Sequence, residues 1–288
     1  MSVVPLDASY VNRAAPPGSL RYFSLLYTPP GKRPVLTALY ALDTEIRDAA
    51  RSANHDVAHA RLQWWREEMD RLVNGGVNGG PQHPAARLLA QAADPGAGFS
   101  GLHELLAAAG MDLARVTYAT AEELRAYCAR SGGTICEIIA AQLCAPAPLD
   151  DASRRLAQRV GIGIRMTEIL RDVRQDAWDG RIYLPLDLLE RHDIHYERLR
   201  THDMDAPLRT LLESFAAGAR EALHGASGTA SEPAAEHAGA LRALHVLAAL
   251  HERLLDRIAA RRYDVASQRI KLGPIEKPWL AWRAARRT

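Results

Sequence analysis

Apolar residues recur at three- and four-residue steps through most of this chain, and a period of that kind admits helices and little else. Val35, Leu36, Leu39, Leu42, Ile46 and Ala50 trace one buried face of a helix. Leu62, Trp65, Met69 and Leu72 do the same over 55–73, and Leu156, Val160, Ile164, Ile169 and Val173 over 151–178. The same reading predicts helices over 84–93, 101–109, 206–224 and 235–262, the last carrying Leu241, Leu244, Leu247, Leu254, Leu255 and Ile258. Residues 111–144 also read as helical, interrupted at Gly132-Gly133. A glycine inside a helix costs about 1 kcal/mol relative to alanine, which close helix packing or backbone near a ligand would justify. Residues 1–18 read as an extended arm, and 74–84 and 225–233 as loops. Strand-like runs of Val, Ile and Thr are scarce, and neither a βαβ alternation nor a glycine-rich phosphate loop is present. The expectation is an all-α chain with one domain over 1–288.

Charge narrows the function classes. The chain has 36 basic and 34 acidic residues, a formal net charge of +2, which speaks against a nucleic-acid partner because such proteins concentrate basic charge. Residues 1–20 contain no apolar core of signal length, and no window approaches 18 uninterrupted apolar residues, so a cytoplasmic location is expected with any membrane contact peripheral. The tail carries Trp279, Trp282, Arg283, Arg286 and Arg287. It reads either as a solvated terminus or as a surface for anionic lipid. Cys128, Cys136 and Cys144 lie eight apart, too far along one helix to share a metal, and read as small core residues. The pairs His55/His59 and His192/His195 lack a HExxH setting, and no Gly-x-Ser-x-Gly elbow occurs. Trp64 and Trp65 point about 100° apart on a helix, placing one in the core and leaving the other free to meet solvent or a partner.

The most informative stretch is Ile169-Leu170-Arg171-Asp172-Val173-Arg174-Gln175-Asp176, followed by Gly180-Arg181-Ile182-Tyr183-Leu184-Pro185. Asp172 and Asp176 are four apart, which puts both carboxylates on one helix face. Two readings fit that spacing: a solvated polar face near Arg165, Glu168 and Arg171, or a magnesium site completed by substrate phosphates.

Residue by residue, that stretch resembles the second aspartate-rich signature of the squalene/phytoene synthase family. Tyr22-Phe23-Ser24 with Gly31-Lys32-Arg33, Ala38-Leu39-Tyr40-Ala41, and Tyr127-Cys128 with Gly132-Gly133-Thr134 extend the resemblance over about 20–265. Members are all-helical prenyltransferases that join two prenyl diphosphates head to head with magnesium and loss of diphosphate. The resemblance implies an isoprenoid synthase-like bundle around a deep, partly apolar cavity, with Asp172 and Asp176 near its mouth. It further implies farnesyl or geranylgeranyl diphosphate as substrate and Mg2+ as cofactor, with Asp172, Asp176 and Asp48 as metal ligands. Tyr127 would face the reacting carbons, Arg171 would sit behind the carboxylates or pair with phosphate, and Arg181 and Tyr183 would line the diphosphate end.

The family's first motif, Asp-Asp-x-x-Asp, aligns with Arg47-Asp48-Ala49-Ala50-Arg51. Asp48 remains and both outer positions are arginine. Glu168 stands in place of the family's asparagine, and Cys136 where glycine is frequent. Two functions follow. Arg47 and Arg51 clamp a diphosphate with fewer metals, or they pair with Asp172 and Asp176 and fill the metal positions. In the second case the chain is a synthase-like assembly or binding protein. Ala41-Leu42-Asp43-Thr44-Glu45-Ile46-Arg47-Asp48 with Arg61-Leu62-Gln63-Trp64-Trp65-Arg66 resembles a divergent branch of the superfamily that includes an assembly factor of respiratory complex I, which implies a respiratory complex at a membrane surface as partner.

Overall fold

A computed structural model describes residues 8–74, 79–99, 101–224 and 235–286. Its α-helices run in chain order as α1 (Ala8–Ala14), α2 (Leu20–Leu26), α3 (Arg33–Ala50), α4 (His55–Val73), α5 (Pro84–Ala92), α6 (Leu102–Leu113), α7 (Ala121–Cys128), α8 (Thr134–Cys144), α9 (Asp151–Trp178), α10 (Leu186–Arg191), α11 (Ala206–His224), α12 (Ala235–Ala238), α13 (Arg242–Ala260) and α14 (Glu276–Ala285). Strands are absent among the described residues. The all-α expectation holds.

Local chemistry explains the sharp helix starts. The side chains of Ser19, Asn54, Thr120 and Asp150 accept hydrogen bonds from Tyr22, Val57, Glu123 and Ser153 N–H at the N-termini of α2, α4, α7 and α9. α4, α9 and α11 have the bounds read from the sequence. Four expectations need correction. Residues 8–14 of the supposed arm are helical. Residues 114–120 leave the helix before Thr120 caps α7. The segment 235–262 is broken at 239–241. The tail, read without a helix, forms α14, with Trp279, Trp282, Arg283 and Arg286 exposed on it. The loop over 225–233 lies outside the described residues.

The glycine pair does not end its helix. Residues Ala129–Gly133 form a π-turn that joins α7 to α8 without a break. Close packing is the reason glycine is needed. A Cβ on Gly132 would lie 2.2 Å from the Gly161 carbonyl oxygen, and one on Gly161 would lie 2.1 Å from the Gly132 carbonyl oxygen. Backbone therefore meets backbone where the π-turn crosses α9.

That crossing makes α9 the axis of the molecule. At 28 residues it is the longest helix among the described residues, about 42 Å, and it packs against α8, α11, α13 and the π-turn. Trp65 is core, while Trp64 stays half-buried with its ring 5.1 Å from that of Trp65. The three cysteines are buried, as read from their spacing. No helix among the described residues is long and apolar enough to cross a membrane.

Candidate functional site

Helices α3, α8, α9 and α13, together with residues 13–21 and 269–277, enclose a cavity of about 380 Å³. This lies at the lower end of the range of about 300–1,000 Å³ for small-molecule sites. One part of its wall is apolar: Ile135, Ile139, Ile164, Leu247, Leu254 and Leu272. The rest is cationic. Arg13, Arg21, Arg47, Arg165, Arg171, Arg269, Lys271 and Lys277 line it, with Glu168 the one carboxylate on the wall among the described residues. Arg13 and Arg269 are half-exposed, which places them at the rim, whereas Arg165 is 3% exposed and lies inside. Such a wall suits a molecule with an apolar body and an anionic head.

The cations are held by a connected set of ion pairs. Asp43, buried on α3, accepts from Arg47 Nε at 2.8 Å and pairs with Arg21. Arg47 then reaches Glu168 at 3.6 Å, and Glu168 lies 3.6 Å from Arg165. Burial opposes ionisation of Asp43, but Arg47 and Arg21 outweigh it and hold the carboxyl at about 2. Glu168 is lowered for the same reason: burial acts against it, Arg47 and Arg165 act for it. The two departures at positions 47 and 168 thus answer each other across the cavity, a new cation facing a new anion.

The acidic pair on α9 stands beside the cavity, with Asp172 bound to Arg269 at the rim. Neither Asp172 nor Asp176 lines this cavity. Asp172 accepts Nε of Arg171 at 2.9 Å, and Nε and Nη2 of Arg269 at 2.7 and 2.8 Å. Burial opposes its ionisation, and these hydrogen bonds overcome that and bring it to about 2. Asp176 is buried and has Arg51 at 3.7 Å. Burial pushes its carboxyl up to about 6, against the pull of Arg165 and Arg51. Asp48 is exposed on α3. Of the two alternatives for the arginines, pairing with the α9 carboxylates is met only by Arg51, which faces Asp176, while Arg47 turns to Asp43 and Glu168.

These residues do not fit a magnesium cluster. Both oxygens of Asp172 are occupied by guanidinium groups, and no three His, Cys, Asp or Glu side chains gather as a cation site among the described residues. A hard cation needs several oxygen donors in one place.

Behind the cavity lies a second polar cluster. The Tyr127 and Tyr183 hydroxyls donate to Asp112 Oδ1 at 2.6 and 2.7 Å, and Arg165 Nη2 donates to the Tyr127 hydroxyl at 2.6 Å. The Arg165 guanidinium stacks over both rings, 5.3 and 4.9 Å from their centroids. Its Nε is buried and has no hydrogen-bond partner among the described residues. Tyr127 and Tyr183 are nearly fully buried and serve to position Arg165. Arg181 donates to the backbone carbonyls of Asp112 and Ala50, tying α3 to α6.

Sequence reading missed Asp43, Asp112, Arg21 and Arg269. Asp43 had a signal, an acid on the buried stripe of α3 four residues before Arg47. Arg269 had none, since it comes from a loop 97 residues from its partner.

An all-α bundle around an amphipathic, cation-lined cavity defines a protein of isoprenoid-synthase architecture. The squalene/phytoene synthase family matches residues 16–276, and the chain belongs to that family. The phytoene synthase of Mycobacterium tuberculosis is 34% identical over 192 residues, 64% of this chain and 58% of its own length. That of Arthrospira platensis is 30% identical over 72% of this chain and 69% of its own. The chain thus aligns with somewhat more than half the length of the first of these. Among solved structures, a dehydrosqualene synthase in complex with ligand superposes with a TM-score of 0.74 at 20% identity, covering 97% of both chains. Squalene synthase HpnC from Alicyclobacillus acidocaldarius gives 0.72 at 21% identity, covering 88% and 94%. These two share the fold.

Proposed function

We propose that the cavity takes up a prenyl diphosphate, hydrocarbon against Ile135, Ile139, Ile164, Leu247 and Leu254, diphosphate among Arg47, Arg165, Arg171 and Arg269. The observation that carries this reading is Arg165: a buried guanidinium on the cavity wall whose Nε has no partner among the described residues. An unsatisfied buried donor costs about 1–3 kcal/mol, and an anionic oxygen removes that cost. The reading assigns to guanidinium groups the charge neutralisation that magnesium would otherwise supply. Fixed cations aimed at a departing diphosphate also stabilise the charge that develops when an allylic C–O bond breaks. Transfer of the prenyl group with loss of diphosphate, as the names of the relatives suggest, is the enzymatic form of the proposal.

The second reading is a catalytically silent synthase-like binding or assembly protein, including one for a respiratory complex. The observation that favours it is the capture of Asp172 by Arg171 and Arg269. A cytoplasmic site of action is common to both readings.

Calorimetric titration of the purified chain with farnesyl and geranylgeranyl diphosphate, in EDTA and again in magnesium, tests the proposal. Expected is saturable binding in EDTA that weakens at least tenfold in Arg165→Met. Absence of binding in either condition overturns it, and binding that requires magnesium overturns the guanidinium assignment. Pyrophosphate release in the same samples separates transferase from binding protein.

A further inference from the structure

Helix α14 has two unlike faces. Ala281, Ala284 and Ala285 are buried, and the helix packs on α13 and α2. The other face holds Ile275 at 84% exposure, Trp279 at 52% and Trp282 at 47%. Positions 275, 279, 282 and 286 fall on one stripe of a helix. Along it the Arg283 guanidinium lies 5.1 Å from the centroid of Trp279, and that of Arg286 lies 4.9 Å from Trp282.

Charge identifies the kind of partner. Residues 271–286 contain Lys271, Lys277, Arg283 and Arg286 and a single acid, Glu276. That acid is bound to Arg253 and Arg257 of α13 at 2.6 and 2.7 Å. The outward face of α14 is therefore cationic and aromatic, and among the described residues no acid pairs with Arg283 or Arg286. Two exposed indoles interleaved with arginine, on a helix whose far side is packed, have the composition of an element that lies in the headgroup layer of an anionic bilayer. The same piece of chain lines the cavity through Ile270, Lys271, Leu272 and Lys277.

We propose that α14 docks the protein on an anionic membrane surface. Trp279, Trp282 and Ile275 enter the boundary between headgroups and acyl chains, and Arg283 and Arg286 pair with lipid phosphates. Docking brings the rim at Lys271 and Lys277 against the lipid surface, so that an amphipathic ligand passes between bilayer and cavity with little exposure to water. The docking itself stands whether or not that ligand is a prenyl diphosphate.

The test is co-sedimentation of the full chain with vesicles of phosphatidylcholine alone and of phosphatidylcholine with phosphatidylglycerol. Expected is binding to the anionic vesicles that falls as salt is raised and at least a tenfold loss of partitioning in Trp279→Ala/Trp282→Ala and in Arg283→Glu/Arg286→Glu. All four positions are exposed, so both variants should keep the parental circular dichroism and Tm. Wild-type protein left in the supernatant with anionic vesicles at low salt overturns the proposal, as does equal binding by both variants. Self-association without lipid that the same substitutions abolish would also overturn it, assigning the face to a second copy of the chain.

Discussion

Replacing Gly161 by alanine sets two known effects against each other. Alanine is the better helix former, and in an ordinary helix interior the change gains about 1 kcal/mol. At Gly161 the new Cβ would sit 2.1 Å from the Gly132 oxygen, 2.4 Å from the Gly132 carbonyl carbon and 2.7 Å from Gly133 Cα. All three are backbone atoms, so no side chain can rotate out of the way and α9 must move from the π-turn. Overpacking in a tight core costs about 1–3 kcal/mol, and the top of that range applies where backbone meets backbone. The net expectation for Gly161→Ala is a loss of about 2 kcal/mol, a fall in Tm of about 4–8 °C for a chain of this size. Gly133→Ala is the control. Its Cβ would meet Gln158 at 3.5 Å, an ordinary contact, and its φ of −60° suits alanine. Its Tm should stay level or rise by up to about 4 °C. Thermal unfolding followed by circular dichroism reads both. A Gly161→Ala protein as stable as the parent would refute the close approach, and so would matching losses in the two variants. Arg165 stands one turn beyond Gly161, so Gly161→Ala should also weaken diphosphate binding, and Gly133→Ala should not.

Asp43→Asn should cost about 3 kcal/mol by leaving Arg21 and Arg47 without their shared counter-ion, seen as a lower midpoint in urea. Because Asp43 and Asp172 are both held at about 2, each contributes stability present above the ordinary carboxyl range and lost as pH falls through 2; acid unfolding of Asp43→Asn should lack part of that slope. Asp176 has the opposite sign. Its carboxyl is raised from 3.8 to about 6, so its contribution is present below 3.8 and lost as pH rises through 6. Asp176→Asn should therefore be more stable than the parent by up to about 3 kcal/mol above pH 6 and equal to it near pH 4, and a Tm difference independent of pH would contradict the burial of that side chain.

The charge pattern gives these predictions a common basis. Arginine at position 47 would be a half-buried like-charge neighbour of Arg21 and Arg165 unless acids came with it. Asp43 on the same helix and Glu168 on α9 supply them. Burial of the network makes each partner costly to remove.

Much of the fold is legible in the residues because helices are local objects. The three- and four-residue spacing of leucine, alanine and isoleucine, with Asn54 and Asp150 as caps, determines α4 and α9 to their ends, and the order of residues through 169–185 determines the family. Other features are decided by packing alone. Gly132-Gly133 reads as an interruption along the chain, and only the crossing with Gly161 turns it into a continuous π-turn. Each of Arg47, Asp172 and Arg165 has one partner near it in the chain, whereas Glu168, Arg269 and Tyr127, their other partners, are brought to them through space. Local spacing therefore establishes which charges exist and on which face each stands, whereas the meeting of α9 with the 269–277 segment decides that Asp172 is held by Arg269.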